Sequence, residues 1–160
     1  MSRASVRAGL ASYLDAHTTA AVVYSTPPKS IPENVYFAGG AESGWVLLVT
    51  VGSTTENRVA IGGVSSGKKR IDYTVELQVI FRHVRPPAAD EDELVNAMEA
   101  FDVVIDELKA AIRADRTAGG AVWQWGEQLT DLFGDARALT SGVAEQWGVI
   151  TTTATEWITS

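Results

Sequence analysis

Cysteine is absent from the 160-residue chain. That excludes disulfides, thiolate metal sites and cysteine nucleophiles together, and it suits a protein made in a reducing compartment. Histidine is scarce: His17 and His83 stand alone, without HExxH spacing or a thiolate to complete a metal shell, so neither a metal nor any other cofactor is expected. No apolar run approaches the roughly 18 residues of a membrane span. The opening Met1-Ser2-Arg3-Ala4-Ser5-Val6-Arg7 also lacks the apolar stretch of a signal peptide, which gives the expectation of a soluble, intracellular chain with no membrane partner. Positive charge is in deficit, with 13 Lys and Arg against 20 Asp and Glu and a net charge of −7, so a protein whose task is gripping phosphates is not expected. Apolar residues at 46% and charged residues at 21% are globular proportions, and the length supports one domain spanning 1–160.

Hydrophobic spacing then orders the elements. Val6, Leu10, Tyr13 and Leu14 form the stripe of a one-sided helix over residues 3–16. A short strand over Ala20–Tyr24 ends at Thr26-Pro27-Pro28, where proline rings exclude ladder donors. Residues Trp45 to Val51 are nearly all large and apolar, the pattern of a strand covered on both faces. In residues 71–82, Ile71, Tyr73, Val75, Leu77, Val79 and Phe81 alternate with Asp72, Thr74, Glu76, Gln78 and Arg82, and only Ile80 breaks the period of two. Between these strands, residues 52–69 are rich in Gly, Ser and Thr and read as a flexible hairpin tip on a projecting hairpin. Asp90 with Glu93 forms a capping-box variant for a long helix whose seam is Leu94, Met98, Phe101, Ile105, Leu108 and Ile112, stopped by Gly119-Gly120. Val122–Trp125 reads as a short strand and Glu145–Ile158 as a terminal one; Gly126–Gly142 reads as a loop with a helical turn near Asp131. The expected fold is α+β, a mostly antiparallel sheet with the N-terminal and long helices packed on one face.

Two motifs strike the hairpin tip. Gly63-Val64-Ser65-Ser66-Gly67 matches a hydrolase nucleophile elbow, and Gly62 to Lys69 nearly matches a phosphate-binding loop, with Lys69 where the metal-binding hydroxyl belongs. Both devices need a helix to follow, and the sequence offers a period-two strand. No catalytic residue is assigned on this basis. The acidic run Asp90–Glu93 is accounted for by a helix N-terminus. The five tryptophans, Trp45, Trp123, Trp125, Trp147 and Trp157, read as sheet packing or subunit contacts. Cations gather at the hairpin end as Arg58, Lys68, Lys69 and Arg70, and at the far end as Arg82, His83 and Arg85. On an acidic body they fit a head-to-tail contact between copies.

The order of amphipathic N-terminal helix (Val6, Leu10, Leu14), long hairpin with Gly-rich tip (Trp45 to Phe81), long helix (Leu94 to Ile112), Trp-bearing strand (Val122-Trp123-Gln124-Trp125) and Thr-rich closing strand ending Glu156-Trp157-Ile158 resembles the tail terminator proteins of long-tailed, siphovirus-type bacteriophages. That resemblance implies a structural virion protein and not an enzyme. It implies a ring, usually a homohexamer, that caps the tail tube, ends its polymerisation and offers a docking surface to the head-side connector. Its partners would be further copies of itself, the tail tube protein and a head-closure or connector protein, with genomic DNA as passing cargo. Its place would be the tail–neck junction, after assembly in the host cytoplasm. Arg58, Val59, Ile61, Lys68, Lys69 and Arg70 are then the expected contacts between copies or with the tube. The stretch Gly126–Gly142 is longer and less regular than the family layout implies. Alternatives are a head-closure or other connector protein, a small hydrolase using Ser65, and a ligand-binding α+β domain.

Overall fold

The computed structural model describes residues 2–58, 67–84, 91–139 and 142–159. Helix α1 (Arg3–His17) starts where Ser2 caps it: the Ser2 hydroxyl accepts the Ser5 N–H, and the Ser5 hydroxyl accepts the Ser2 N–H in return. It ends at Thr18, whose backbone is extended and whose hydroxyl donates to the Leu14 carbonyl. The stripe Val6, Leu10 and Leu14 is wholly buried, with Tyr13 and Ala11 beside it.

Strand β1 (Val22–Tyr24) pairs parallel with β2 (Ser43–Arg58), and the short helix α2 (Glu33–Tyr36) lies between them in the chain. Strand β3 (Lys68–Val84) returns antiparallel to β2, from Ser43 opposite His83 to Arg58 opposite Lys69, with one bulge between Val51 and Thr54. Helix α3 (Glu91–Ala114) crosses the sheet, and the chain closes with β4 (Gln124–Trp125), β5 (Thr130–Phe133), β6 (Arg137–Ala138) and β7 (Val143–Thr159). β7 runs antiparallel to β3 from Lys68 opposite Thr159 to Val84 opposite Val143 without a register shift. Its other edge carries β4, β5 and β6 in succession. The architecture is α+β around one mostly antiparallel sheet.

The period of two in β3 is realised in full: Ile71, Tyr73, Val75, Leu77, Val79 and Phe81 are all buried. They share a face with Leu47 and Val49 of β2 and with Ile150 and Ala154 of β7, and α1 and α3 cover that face. In α3 the seam holds at Phe101, Ile105, Leu108 and Ile112. One turn upstream it departs from expectation, because the inward place goes to Ala97, four residues before Phe101, while Met98 is 49% exposed. The Asp90 cap and the side chains of Glu93 and Leu94 lie outside the described residues.

Helices α1 and α3 share one face as expected, and an additional helix not foreseen, α2, seats Tyr36 on the opposite face against Val46 and Leu48; this is what covers β2 on both sides. Three further expectations change. The hairpin is not a two-stranded finger, because β7 stays paired with β3 to its far end. Asp131 lies in strand β5 and not in a helical turn, and Gly126–Gly142 supplies two short strands to the β7 edge. Two glycines make that layout feasible. Gly126 turns the chain from β4 toward β5 at φ +75, and Gly148 lets two rings sit on β7: a Cβ there would stand 2.7 Å from Phe133 Cδ1 and 3.0 Å from Phe101 Cζ.

Gly148→Val therefore tests whether ring packing holds β5 to the sheet. It is expected to cost about 1–3 kcal/mol of unfolding free energy in urea titration. Gly52→Val on the same sheet, where an added Cβ meets nothing closer than 3.8 Å, is expected to be near neutral.

Candidate functional site

The end of the sheet formed by the last residues of β2, the first of β3 and the last of β7 collects the cations singled out by the sequence. Arg58 closes β2 opposite Lys69, and Lys68 opens β3 opposite Thr159. Lys69 Nζ lies 2.6 Å from Glu56 Oε1, and Arg70 Nε donates to Asp72 Oδ1 at 2.9 Å. Asp72 Oδ1 also accepts the Thr155 hydroxyl. Lys69 and Arg70 are thus partnered within the chain, whereas Arg58 and Lys68 are exposed and form no ion pair with any described residue. Val59, Ile61 and Ser65 lie outside the described residues. Directly after Gly67 the chain enters β3, so the helix that a nucleophile elbow or a phosphate-binding loop requires does not follow this tip.

Beneath the cations the core face holds an acid. Glu156 is 4% exposed, and the Tyr73 hydroxyl donates to its Oε2 at 3.0 Å. Burial, then this bond to a carboxylate, pushes the Tyr73 phenol up to about 12, so it stays a donor at any physiological pH. An acid at a core-facing parity position of β7, diagonal to a tyrosine of β3, was the available signal for this pair.

On the opposite face of the same end lies a groove of about 580 Å³. Thr74, Thr153 and Thr155 floor it, and Trp123 and Trp157, edge to face at 5.7 Å, wall it. Trp123 is 56% exposed, while Trp45 and Trp125 are buried in the core. The tryptophans therefore divide between packing and surface. Farther along, this face continues as Glu76, Gln78 and Thr151, uncovered by any described element.

At the other end of the sheet, Arg82 and Arg137 clamp the buried Glu145, with Arg82 Nη2 at 2.9 Å from Oε2. The Arg82 guanidinium also lies over the Tyr36 ring at 4.5 Å. Burial opposes ionisation of Glu145, but the hydrogen bonds from Arg137 and Arg82 outweigh it and hold the carboxyl below its ordinary range. The second cationic cluster is accordingly neutralised at Arg82. His83 Nδ1 lies 2.7 Å from the Val84 carbonyl, and Arg85 is outside the described residues. Among the described residues there is no group of three or more His, Asp and Glu that could hold a metal ion, and no helix is long and apolar enough to cross a membrane.

The chain matches no protein-family model and no curated protein.

The Glu145 clamp has a pH signature. A carboxyl with a depressed folded-state pKa stabilises the fold above its unfolded value, and that contribution disappears as pH falls through the folded value. Glu145→Gln is expected to cost about 2 kcal/mol at pH 7. The gap from the parent in thermal melts should narrow steadily below about pH 4, where unfolded-state glutamates protonate.

Proposed function

We propose that this chain is a structural virion protein of the tail terminator kind. It forms a ring that sits on the end of the tail tube, stops its growth and presents a surface to the head-side connector. The observation that carries this reading is the cationic end of the sheet: exposed Arg58 and Lys68 on a body of net charge −7, beside a β2 segment, Gly52 to Arg58, that is exposed throughout. Such a molecule has two unlike surfaces, which is what a head-to-tail ring needs. The uncovered sheet face supports the reading as well. It offers Thr74, Glu76, Thr151 and Thr153 to solvent, and Arg70 and Arg82 are each held by a carboxylate. A lumen lined this way gives passing DNA little to adhere to.

Arg58→Glu with Lys68→Glu is the test, because Lys69 and Arg70 already have partners. The doubly substituted chain is expected to fold with an unchanged melting temperature. In a phage carrying it, electron micrographs should show tails of uncontrolled length, as deletion of the gene should. Tails of normal length from the deletion would contradict the assignment; loss of head attachment with normal tail length would point to a head-closure protein.

A further inference from the structure

The sheet has two unlike free edges, and their geometry goes beyond the existence of a ring, although closure into one rests on the reading above. On the β2 side, β1 covers only Val46 to Leu48, and Arg3 reaches the Val51 carbonyl. Among the described residues nothing pairs with the outer edge from Gly52 to Arg58, and that stretch holds no proline to blunt it. The Trp45 carbonyl accepts the Ala21 N–H and the Val51 carbonyl accepts Arg3, so odd residues direct their backbone groups outward before the bulge. The bulge places Thr54 opposite Tyr73 and shifts that parity, which leaves Thr54, Glu56 and Arg58 facing outward. On the far side, β5 is exposed along its whole length and pairs only with β7 among the described residues; Leu132 is 65% exposed.

We propose that the open outer edge of β2 from Gly52 to Arg58 receives the outer edge of β5 from a second copy, joining copies head to tail into one continuous antiparallel sheet. Three features support this occupant. Strand direction alternates along β2, β3, β7 and β5, so β5 of one copy meets β2 of the next antiparallel, as a rotational repeat requires. Charge is complementary, because Glu127 and Asp135 flank β5 without an ion pair among the described residues, Asp131 being held by Lys109, and the β2 edge ends in Arg58 beside Lys68. The stagger also fits closure. β5 lies opposite Gly148–Thr151 of β7, while Thr55, midway along the free β2 segment, is level with Thr155 through Asp72. That offset is about 18 Å at about 3.3 Å per residue, across four strands about 19 Å wide. The resulting strand tilt of about 45° lies at the upper end of the range for closed barrels. β1 enforces the offset by covering the β2 edge at the level where an unstaggered β5 would dock.

The test exploits the absence of cysteine. Cells infected with a phage lacking the gene are supplied with two differently tagged versions, Thr55→Cys and Leu132→Cys, which the strand registers place on the same face of the sheet, and treated with a short bis-maleimide. The expected product is a dimer carrying both tags, in the free chain or in purified tails. Its absence from both overturns the proposal. A companion variant, Thr54→Pro, removes one outward N–H and leaves the β2–β3 ladder intact. It is expected to melt like the parent and to abolish the cross-link; a cross-link of parental yield in that variant would also overturn the proposal. The two readings separate cleanly. Cross-linked copies absent from tails would sink the terminator role and keep the edge pairing. Normal tail capping without any cross-link would do the reverse.

Discussion

The fold depends on the pairing of β3 with β7, two strands of 17 residues each that remain in register from one end of the sheet to the other. Because successive side chains point to opposite faces, a slip of one residue would send Ile71, Tyr73, Val75, Leu77, Val79 and Phe81 into solvent and draw charged residues inward. The ladder therefore sets both faces at once. One face receives α1 and α3 and becomes the core; the other stays polar over most of its length, with α2 covering only the β2 end. The same ladder carries Lys68 and its neighbours to one extremity and the Arg82–Glu145–Arg137 clamp to the other.

What could be read from residues alone follows from this physics. Strand β3 and helix α1 were legible because each buries one periodic stripe, and period is visible without coordinates. The α+β class followed from their order. After Gly67 the chain runs as strand β3, as the period of two predicts, and not as the helix that the tip motifs need. Where tertiary context decides, the reading failed. Asp131 looked like loop because four exposed residues, Thr130–Phe133, have no pattern of their own; they become a strand by docking on β7, where Gly148 admits the Phe133 ring. Met98 and Ala97 are adjacent in sequence, and which one faces the sheet is a matter of helix phase that spacing alone left ambiguous.

The candidate site was half legible. Its cations were visible as a cluster, but their division into partnered Lys69 and Arg70 and exposed Arg58 and Lys68 depends on cross-strand neighbours, Glu56 and Asp72 among them. The groove beside Trp123 and Trp157 joins residues far apart in the chain, so nothing local announced it. Glu156 was the subtler omission, an acid at a core-facing position of β7 whose partner Tyr73 is supplied by register.

The proposed ring rests on a sheet whose two edges are unlike and open among the described residues, on an acidic body and on a cationic end. Reconstruction by electron cryomicroscopy of the tail–neck junction tests this most directly. The account predicts a closed ring of this chain on the last layer of the tail tube, with β5 of each subunit alongside the Gly52–Arg58 edge of the next. A neck in which this chain is missing, or in which that edge faces open solvent, would contradict it.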